Sequence, residues 1–136
     1  MEMEPKARSD FFPTEMIYET ACKFWDENNW PRIPFDSLPD TGIGTYFEED
    51  GDILAIAFIY ATDSNLSWFE WLTCSVECRK DKRSQILNST IKFAEDFAKE
   101  NKLVLFTTVK NVNLIGRLES RNWKKTDSGM TNFIFS

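Results

Sequence analysis

The sequence predicts an α/β (α+β) fold: a mixed, mostly antiparallel central sheet with helices on both of its faces. Three observations carry this. Within residues 67–101 the apolar pattern changes from a period of two to a period near 3.6 at a basic elbow, which is a strand running into a helix. Three strand-patterned segments joined by short polar turns lead up to that elbow, and strands joined so tightly pair antiparallel. An apolar run follows the helix, and a strand reached through a helical crossover lies parallel to the one before it.

Residues 1–8 form either a first strand or a frayed arm. Ser9 and Thr14 are both candidate helix N-caps, with Pro13 near the start. Met16, Ile17, Thr20, Ala21, Phe24 and Trp25 then make a helical stripe that ends near Asn28 and Asn29. Pro31, Pro34 and Pro39 exclude a long regular helix over residues 30–42. Trp30, Ile33, Phe35 and Leu38 place that loop against the body, as ordinary packing or as one wall of a cleft. Residues 42–49 read as a strand, Asp50-Gly51-Asp52 as a tight turn, and residues 53–62, nearly all apolar, as a central strand. A polar turn around Asp63-Ser64-Asn65 leads into the next one.

In that strand Trp68, Glu70, Leu72, Cys74 and Val76 fall on one face, and Phe69, Trp71, Thr73 and Ser75 on the other. Both faces are largely apolar, so both should be covered. The helix after the elbow carries Ile86, Leu87, Thr90, Ile91, Ala94, Phe97 and Ala98 on one side, with Asn88, Ser89, Lys92, Glu95, Asp96 and Lys99 opposite. It should run four to five turns, each larger apolar side chain contributing roughly 1.5–3 kcal/mol when buried. Residues 103–109 follow as a buried strand. Asn111 or Asn113 caps a short helix with Leu114, Ile115 and Leu118, on which Arg117 and Arg121 face solvent. Trp123 begins a further segment, Ser128-Gly129 turns the chain, and residues 131–135 (TNFIF) read as a terminal strand.

The totals narrow the function. A chain of 136 residues suits a single domain spanning 1–136, and 42% hydrophobic with 28% charged residues argues against disorder. Twelve Phe and five Trp predict an aromatic-rich core. A net charge of −6 argues against nucleic-acid and anionic-membrane binding, and makes the basic elbow a local exception. There is no bilayer-length apolar run, and the polar, acidic N-terminus lacks a signal peptide, so the expected location is cytoplasmic. Cys22, Cys74 and Cys78 follow no metal spacing and read as reduced thiols; Cys74 and Cys78 are too far apart to bridge on an extended strand. With no histidine, Ser–His–Asp and Cys–His nucleophiles are excluded, as is a histidine-ligated metal. Proton transfer is left to a carboxylate, Tyr, Lys, Cys or water.

A strand that turns abruptly into a helix exposes backbone N–H groups that favour an anion. Here Arg79, Lys80, Lys82 and Arg83 surround Asp81. Each cation opposes the helix dipole by about 0.3–1 kcal/mol when exposed. Two readings stay open: a phosphate or pyrophosphate seat, or a solvated loop.

The order of elements resembles the GNAT superfamily of acyl-CoA-dependent acetyltransferases, over almost the whole chain and chiefly on residues 68–123. In that family the fourth strand ends in a hydrophobic residue. An Arg/Gln-x-x-Gly-x-Gly/Ala elbow follows, whose amides hold the coenzyme A pyrophosphate. Val76 matches the strand end; helix register puts Lys82 at the Arg/Gln position, Gln85 at the first glycine and Leu87 at the second. The alternative register is Arg79-x-x-Lys82-x-Ser84, and neither register has a glycine. Asn111 matches the asparagine of the later motif, and Asn122-Trp123 stands where that motif has Gly-Phe. The tyrosine that in many members protonates the departing thiolate falls on Leu118, or on Glu119 with a one-residue slip. Glu70, six residues before Val76, is where some members carry a glutamate general base. The string Gly116-Arg117-Leu118-Glu119-Ser120-Arg121 is also similar to small GNAT-like proteins of tailed phages.

The resemblance implies a GNAT-like fold that takes acetyl-CoA as cosubstrate and passes acetyl to a small or protein amine. Ser75, Val76, Lys82, Arg83, Ser84, Gln85, Ile86, Leu87 and Asn111 would hold the cofactor, and Glu70 would act as base. Amides near Ser75 and Val76 would polarise the thioester carbonyl. Side chains in place of glycines add bulk and restrict φ, while the basic cluster compensates by charge. Those departures keep an alternative open, a catalytically silent GNAT fold that works by binding a host-protein partner, as a phage effector or a virion component. Many members of the family are homodimers, and a homodimer is a further expectation.

Overall fold

A computed structural model describes residues 6–78 and 80–135, without the Lys80 side chain. Arg79 of the basic elbow and residues 1–5 of the N-terminal arm therefore lie outside the described residues. The elements are β1 (Ala7–Pro13), α1 (Thr14–Glu27), a 3-10 turn (Phe35–Ser37), β2 (Thr41–Phe47), β3 (Ile53–Tyr60), β4 (Leu66–Cys74), α2 (Lys80–Glu100), β5 (Val104–Phe106) and α3 (Val112–Ser120). The strands lie in sequence order in one sheet, antiparallel except for the β4–β5 pair.

Both faces of the sheet are covered, as its central strands, apolar on both sides, require. On one face Ile17, Ala21, Phe24 and Trp25 of α1 pack on Ile56 and Phe58. On the other, Ile91 and Ala94 of α2 and Leu118 of α3 pack on Ile43, Ala57 and Phe69. The periodic stripe of α2 is buried as its spacing requires, with Ile86, Thr90, Ile91, Ala94 and Ala98 all inside. A polar seam runs beneath this helix: Ser9 Oγ lies 2.8 Å from Ser89 Oγ and 2.6 Å from Thr45 Oγ1, and Thr45 Oγ1 lies 2.6 Å from Thr90 Oγ1. Thr90 in turn donates to the Ile86 carbonyl at 2.8 Å. Every buried hydroxyl there has a partner, which is the condition for placing them under a helix.

Several expectations are corrected. Ser9 caps nothing; it sits in β1, whose pairing with β2 runs on to Pro13↔Thr41 and so carries strand structure up to the first helical residue. Thr14 lies inside α1, where its hydroxyl donates to the Pro39 carbonyl at 2.5 Å, and the Pro13 cap makes no side-chain bond. Helix α2 has 21 residues rather than four to five turns, because it starts within the basic elbow. Strand β5 has only three residues, and Val104 and Phe106 are exposed rather than buried. Residues 131–135 form no strand, and Phe135 is 100% exposed.

The largest correction concerns β4. Phe58, Ile59 and Tyr60 pair with Glu70, Phe69 and Trp68, but Ile56 pairs with Thr73 and Ala55 with Cys74. One extra residue has entered β4 at Trp71, whose φ is 62°. Past a bulge the alternation reverses. Leu72 accordingly joins Phe69 on the α2 face, and Trp71 turns to the α1 face. The expected faces hold up to Glu70 and exchange beyond it.

Glycine matters where α1 comes down on β2. A Cβ at Gly42 would lie 2.6 Å from Phe58 Cε1 and 2.8 Å from Ile17 Cδ1, both on buried side chains. Gly42→Ala is expected to destabilise the fold by about 1–3 kcal/mol, read as a lower urea midpoint with an unchanged slope.

Candidate active site

Strands β4 and β5 pair only over Leu66↔Val104, Ser67↔Leu105 and Trp68↔Phe106. Strand β4 continues to Cys74 with β3 as its sole neighbour, so beyond Trp68 the two strands part. In regular pairing Thr108 would come opposite Glu70. Its N–H instead donates to the Glu70 carboxylate (Oε1, 3.3 Å), a side-chain bond across the opening. Glu70 is half-buried, and burial pushes its carboxyl up to about 7, with the Thr108 N–H pulling the other way. Diagonally across the strands stands Tyr60, whose hydroxyl donates to the Ser37 carbonyl at 2.8 Å and accepts from Trp71 Nε1 at 2.9 Å. Burial raises the Tyr60 pKa, and the Glu70 charge adds to it.

The elbow uses its own amides. Ser75 N–H donates to the Leu54 carbonyl at 2.7 Å and Cys78 N–H to the Ser75 carbonyl at 3.2 Å, while Glu77 N–H donates to Ser75 Oγ at 3.2 Å. The Ser75 amide, expected to face a carbonyl, is thus part of the sheet; Val76 is exposed. This turn also brings Cys74 and Cys78 into one cluster with Phe47, Ala55 and Ile86, where an extended chain would hold them apart. Both are free thiols, and burial, reinforced by Cys78, pushes Cys74 up to about 12. Among the described residues no cluster of His, Cys, Asp or Glu could hold a metal ion.

The predicted cofactor residues divide. Arg83 Nη2 donates to the Cys78 carbonyl at 3.2 Å, and the guanidinium also lies beside the Cys74 thiol, whose pKa it lowers. Lys82 leans the other way, its Nζ 5.3 Å from the Phe47 ring on β2, two strands from β4. Ser84 and Gln85 are exposed, Leu87 is half-buried and Ile86 is fully buried. Asn111 caps α3, its Oδ1 accepting from Asn113 N–H at 2.9 Å and Leu114 N–H at 3.1 Å. Leu118 is buried in the core and Glu119 is exposed, so neither brings a hydroxyl to the tyrosine position.

Neither arginine of α3 is simply solvent-facing. Arg117 donates to Ser84 Oγ at 3.1 Å and Asn88 Oδ1 at 2.9 Å, placing a guanidinium against the first turns of α2. Arg121 binds the Glu95 carboxylate through two bonds of 2.8 and 3.0 Å, and Trp123 Nε1 adds a third at 2.7 Å. Burial opposes ionisation of Glu95, but the Arg121 and Trp123 bonds outweigh it and hold the carboxyl below its usual value. Asn122 adopts φ 70°, the left-handed cap conformation that a glycine usually supplies. Sequence reasoning missed Thr108 and Tyr60 as neighbours of the opening, and Arg117 as a cation held against the first turns of α2. For Arg117 the one signal was its place in the helical phase between Leu114 and Leu118.

A sheet that is antiparallel through β4, opens between β4 and a parallel β5, and sends a long helix from the end of β4 is the GNAT fold. Solved structures share it. A probable acetyltransferase superposes with a TM-score of 0.67 at 14% identity, over 95% of this chain and 97% of that one. A ribosomal-protein-alanine N-acetyltransferase from Brucella melitensis biovar Abortus 2308 gives 0.63 at 14%, over 96% and 98%. A putative acetyl transferase from Pyrococcus furiosus gives 0.63 at 16%, over 93% and 100%. No family model and no curated protein sequence matches the chain.

Because Glu70 holds its proton to about pH 7, against an ordinary value of 4.5, the folded state binds more protons than the unfolded one between those limits. Stability therefore falls as pH rises through that window. The variant Glu70→Gln should show a flatter profile, matching the parent below pH 4.5 and exceeding it in urea midpoint above pH 7.

Proposed function

We propose that the chain binds acetyl-CoA in the opening between β4 and β5 and transfers acetyl to an amine, with Glu70 as general base. The observation that carries this is the place of Glu70: a half-buried carboxylate in the gap left where two strands part, bonded to the Thr108 N–H, where burial pushes its pKa up to about 7. A base serves best when its pKa lies near the working pH.

The residues present suit an anionic cosubstrate. Arg83 and Arg117 put two guanidinium groups at the first turns of α2, and a helix N-terminus is itself positive. Two arginines take the place that glycine amides hold elsewhere in the fold, since arginine binds phosphate oxygens directly. Acetyl-CoA brings an activated thioester carbonyl and a pyrophosphate. With the Ser75 amide committed to Leu54, polarising the carbonyl falls to the Val76 N–H at the strand end. Glu70 takes the proton of the attacking amine, directly or through a water. With leucine or glutamate at the tyrosine position, water protonates the leaving thiolate. The committed elbow amides favour a second reading, a catalytically silent fold that acts by binding a protein partner; thioester turnover would exclude it.

Calorimetry with acetyl-CoA tests the binding step, and no heat at millimolar ligand would end this reading. Arg83→Ala and Arg117→Ala should each weaken binding by about tenfold or more, the cost of losing a bond to a charged group. Lys82→Ala should have little effect, because that cation lies over Phe47. In a thiol-release assay with a panel of amines, Glu70→Gln should lower kcat by about 10²–10⁴ with Kd nearly unchanged. The parent rate should climb with pH and level off above about 7.

A further inference from the structure

Helix α1 leaves one end of the sheet uncovered on its own side. It meets β4 towards that strand's C-terminal end, where Trp71 joins the α1 cluster and Asn28 Nδ2 donates to the Cys74 carbonyl at 3.4 Å. At the start of β4 and along β5 the cover ends. Trp68, Val104 and Phe106 belong to none of the buried clusters and are 37%, 49% and 37% exposed. Tyr60, which does belong to the α1 cluster, pairs with Trp68, and Trp68 with Phe106. The three side chains therefore form one row across β3, β4 and β5 on the α1 side. The Trp68 and Phe106 rings have centroids 5.4 Å apart and planes inclined by 49°, which leaves a wedge between them.

The next row on the same face holds the carboxylate. Glu70 follows Trp68 by two residues, roughly 7 Å along the strand, ahead of the bulge that exchanges the faces. Among the described residues it accepts from the Thr108 N–H and pairs with no lysine or arginine, so the cation that complements it must come with a ligand. The Tyr60 hydroxyl already donates to the Ser37 carbonyl and accepts from Trp71 Nε1. A hydroxyl-rich amine would thus give up water at this row for little return, whereas ring surface is what the row presents. Three strands span about 10 Å, the breadth of one or two rings rather than of an extended peptide.

We propose that this aromatic row is the acceptor subsite of the transfer, and that the acceptor is a small primary amine with an aromatic ring two or three bonds from its nitrogen. The proposal rests on the acetyl-transfer reading above and adds the acceptor's class to it. A ring seated in the Trp68–Phe106 wedge is stabilised by burial and edge-to-face contact. Its ammonium, one side-chain step further along the strand, comes within hydrogen-bond reach of Glu70. One proton passes from the ammonium to Glu70, and the freed lone pair attacks the acetyl carbon. The C–N bond forms as the C–S bond breaks, and the second proton of the nitrogen leaves through water, which protonates the departing thiolate.

Steady-state turnover of acetyl-CoA with phenylethylamine, propylamine, glucosamine and a phenylalanyl tripeptide tests this. The kcat/KM for phenylethylamine should exceed that of each other amine by about tenfold or more, the contribution of one buried ring. Phe106→Ala should cut the preference over propylamine by about tenfold, and Phe106→Tyr, which keeps the ring, should retain it. Phe106 lies outside the buried clusters, so neither change threatens folding. Turnover that favours propylamine, glucosamine or the tripeptide overturns this proposal and leaves the transfer reading standing, as does a preference that survives Phe106→Ala. If acetyl-CoA gives no heat or releases no thiol, the transfer reading falls, and phenylethylamine titrated alone against tryptophan fluorescence decides the row. Saturable quenching that is lost in Phe106→Ala supports the subsite; no response from the free chain overturns it, whatever covers the row instead.

Discussion

One backbone conformation governs the site: Trp71 at φ 62°, the extra residue of β4. A non-glycine residue there costs on the order of 1–3 kcal/mol, and the surroundings must hold it. They do so by burying part of the indole against the α1 core and bonding its N–H to Tyr60, whose hydroxyl is anchored on Ser37. The bulge adds twist to the strand and exchanges its faces. Glu70 immediately precedes this switch, and the pairing with β5 has ended two residues earlier, at Trp68. A carboxylate is thereby set in an opening of the sheet rather than in its core or on its surface.

The elbow closes without glycine. Glycine serves such a corner in two ways, by allowing left-handed backbone and by letting a ligand come close. Among the described residues of the elbow none has positive φ, so the first need does not arise. The corner closes through Ser75, whose carbonyl and hydroxyl accept from Cys78 and Glu77. Arg83 and Arg117 bring two guanidinium groups to the first turns of α2 from two helices. Besides Trp71, Gly51 and Gly129, the left-handed positions among the described residues are Asn29, Lys102 and Asn122, where α1, α2 and α3 end.

Most of the architecture was legible, for a physical reason. The stripe on α2, the apolar run of β3 and the face assignment in the first half of β4 are local patterns that burial enforces. Trp71 was not legible, because a run apolar on both sides has the same pattern with or without an extra residue; only pairing with β3 reveals it. The length of β5 and the fate of TNFIF likewise depend on partners distant in sequence. At the site, Glu70 was singled out by its spacing from Val76 within a resemblance, while its place in the opening depends on where β5 parts from β4. The committed Ser75 amide and the reach of Lys82 to Phe47 are tertiary facts without a local signal. Asn111 was readable on local chemistry alone, since an asparagine ahead of a short apolar helix is a cap.

The hydroxyls beneath α2 have a direction. A carbonyl can only accept, so Thr90 must spend its single proton on Ile86, and Thr45 must then donate to Thr90, Ser9 to Thr45 and Ser89 to Ser9. All four protons point one way, inward from Ser89, fixed by a single peptide oxygen of the helix. An alanine at either middle position would strand a donor on one side and an acceptor on the other. The four hydroxyls therefore act as a unit, stable when the row is whole or when all four are apolar, and costly in between.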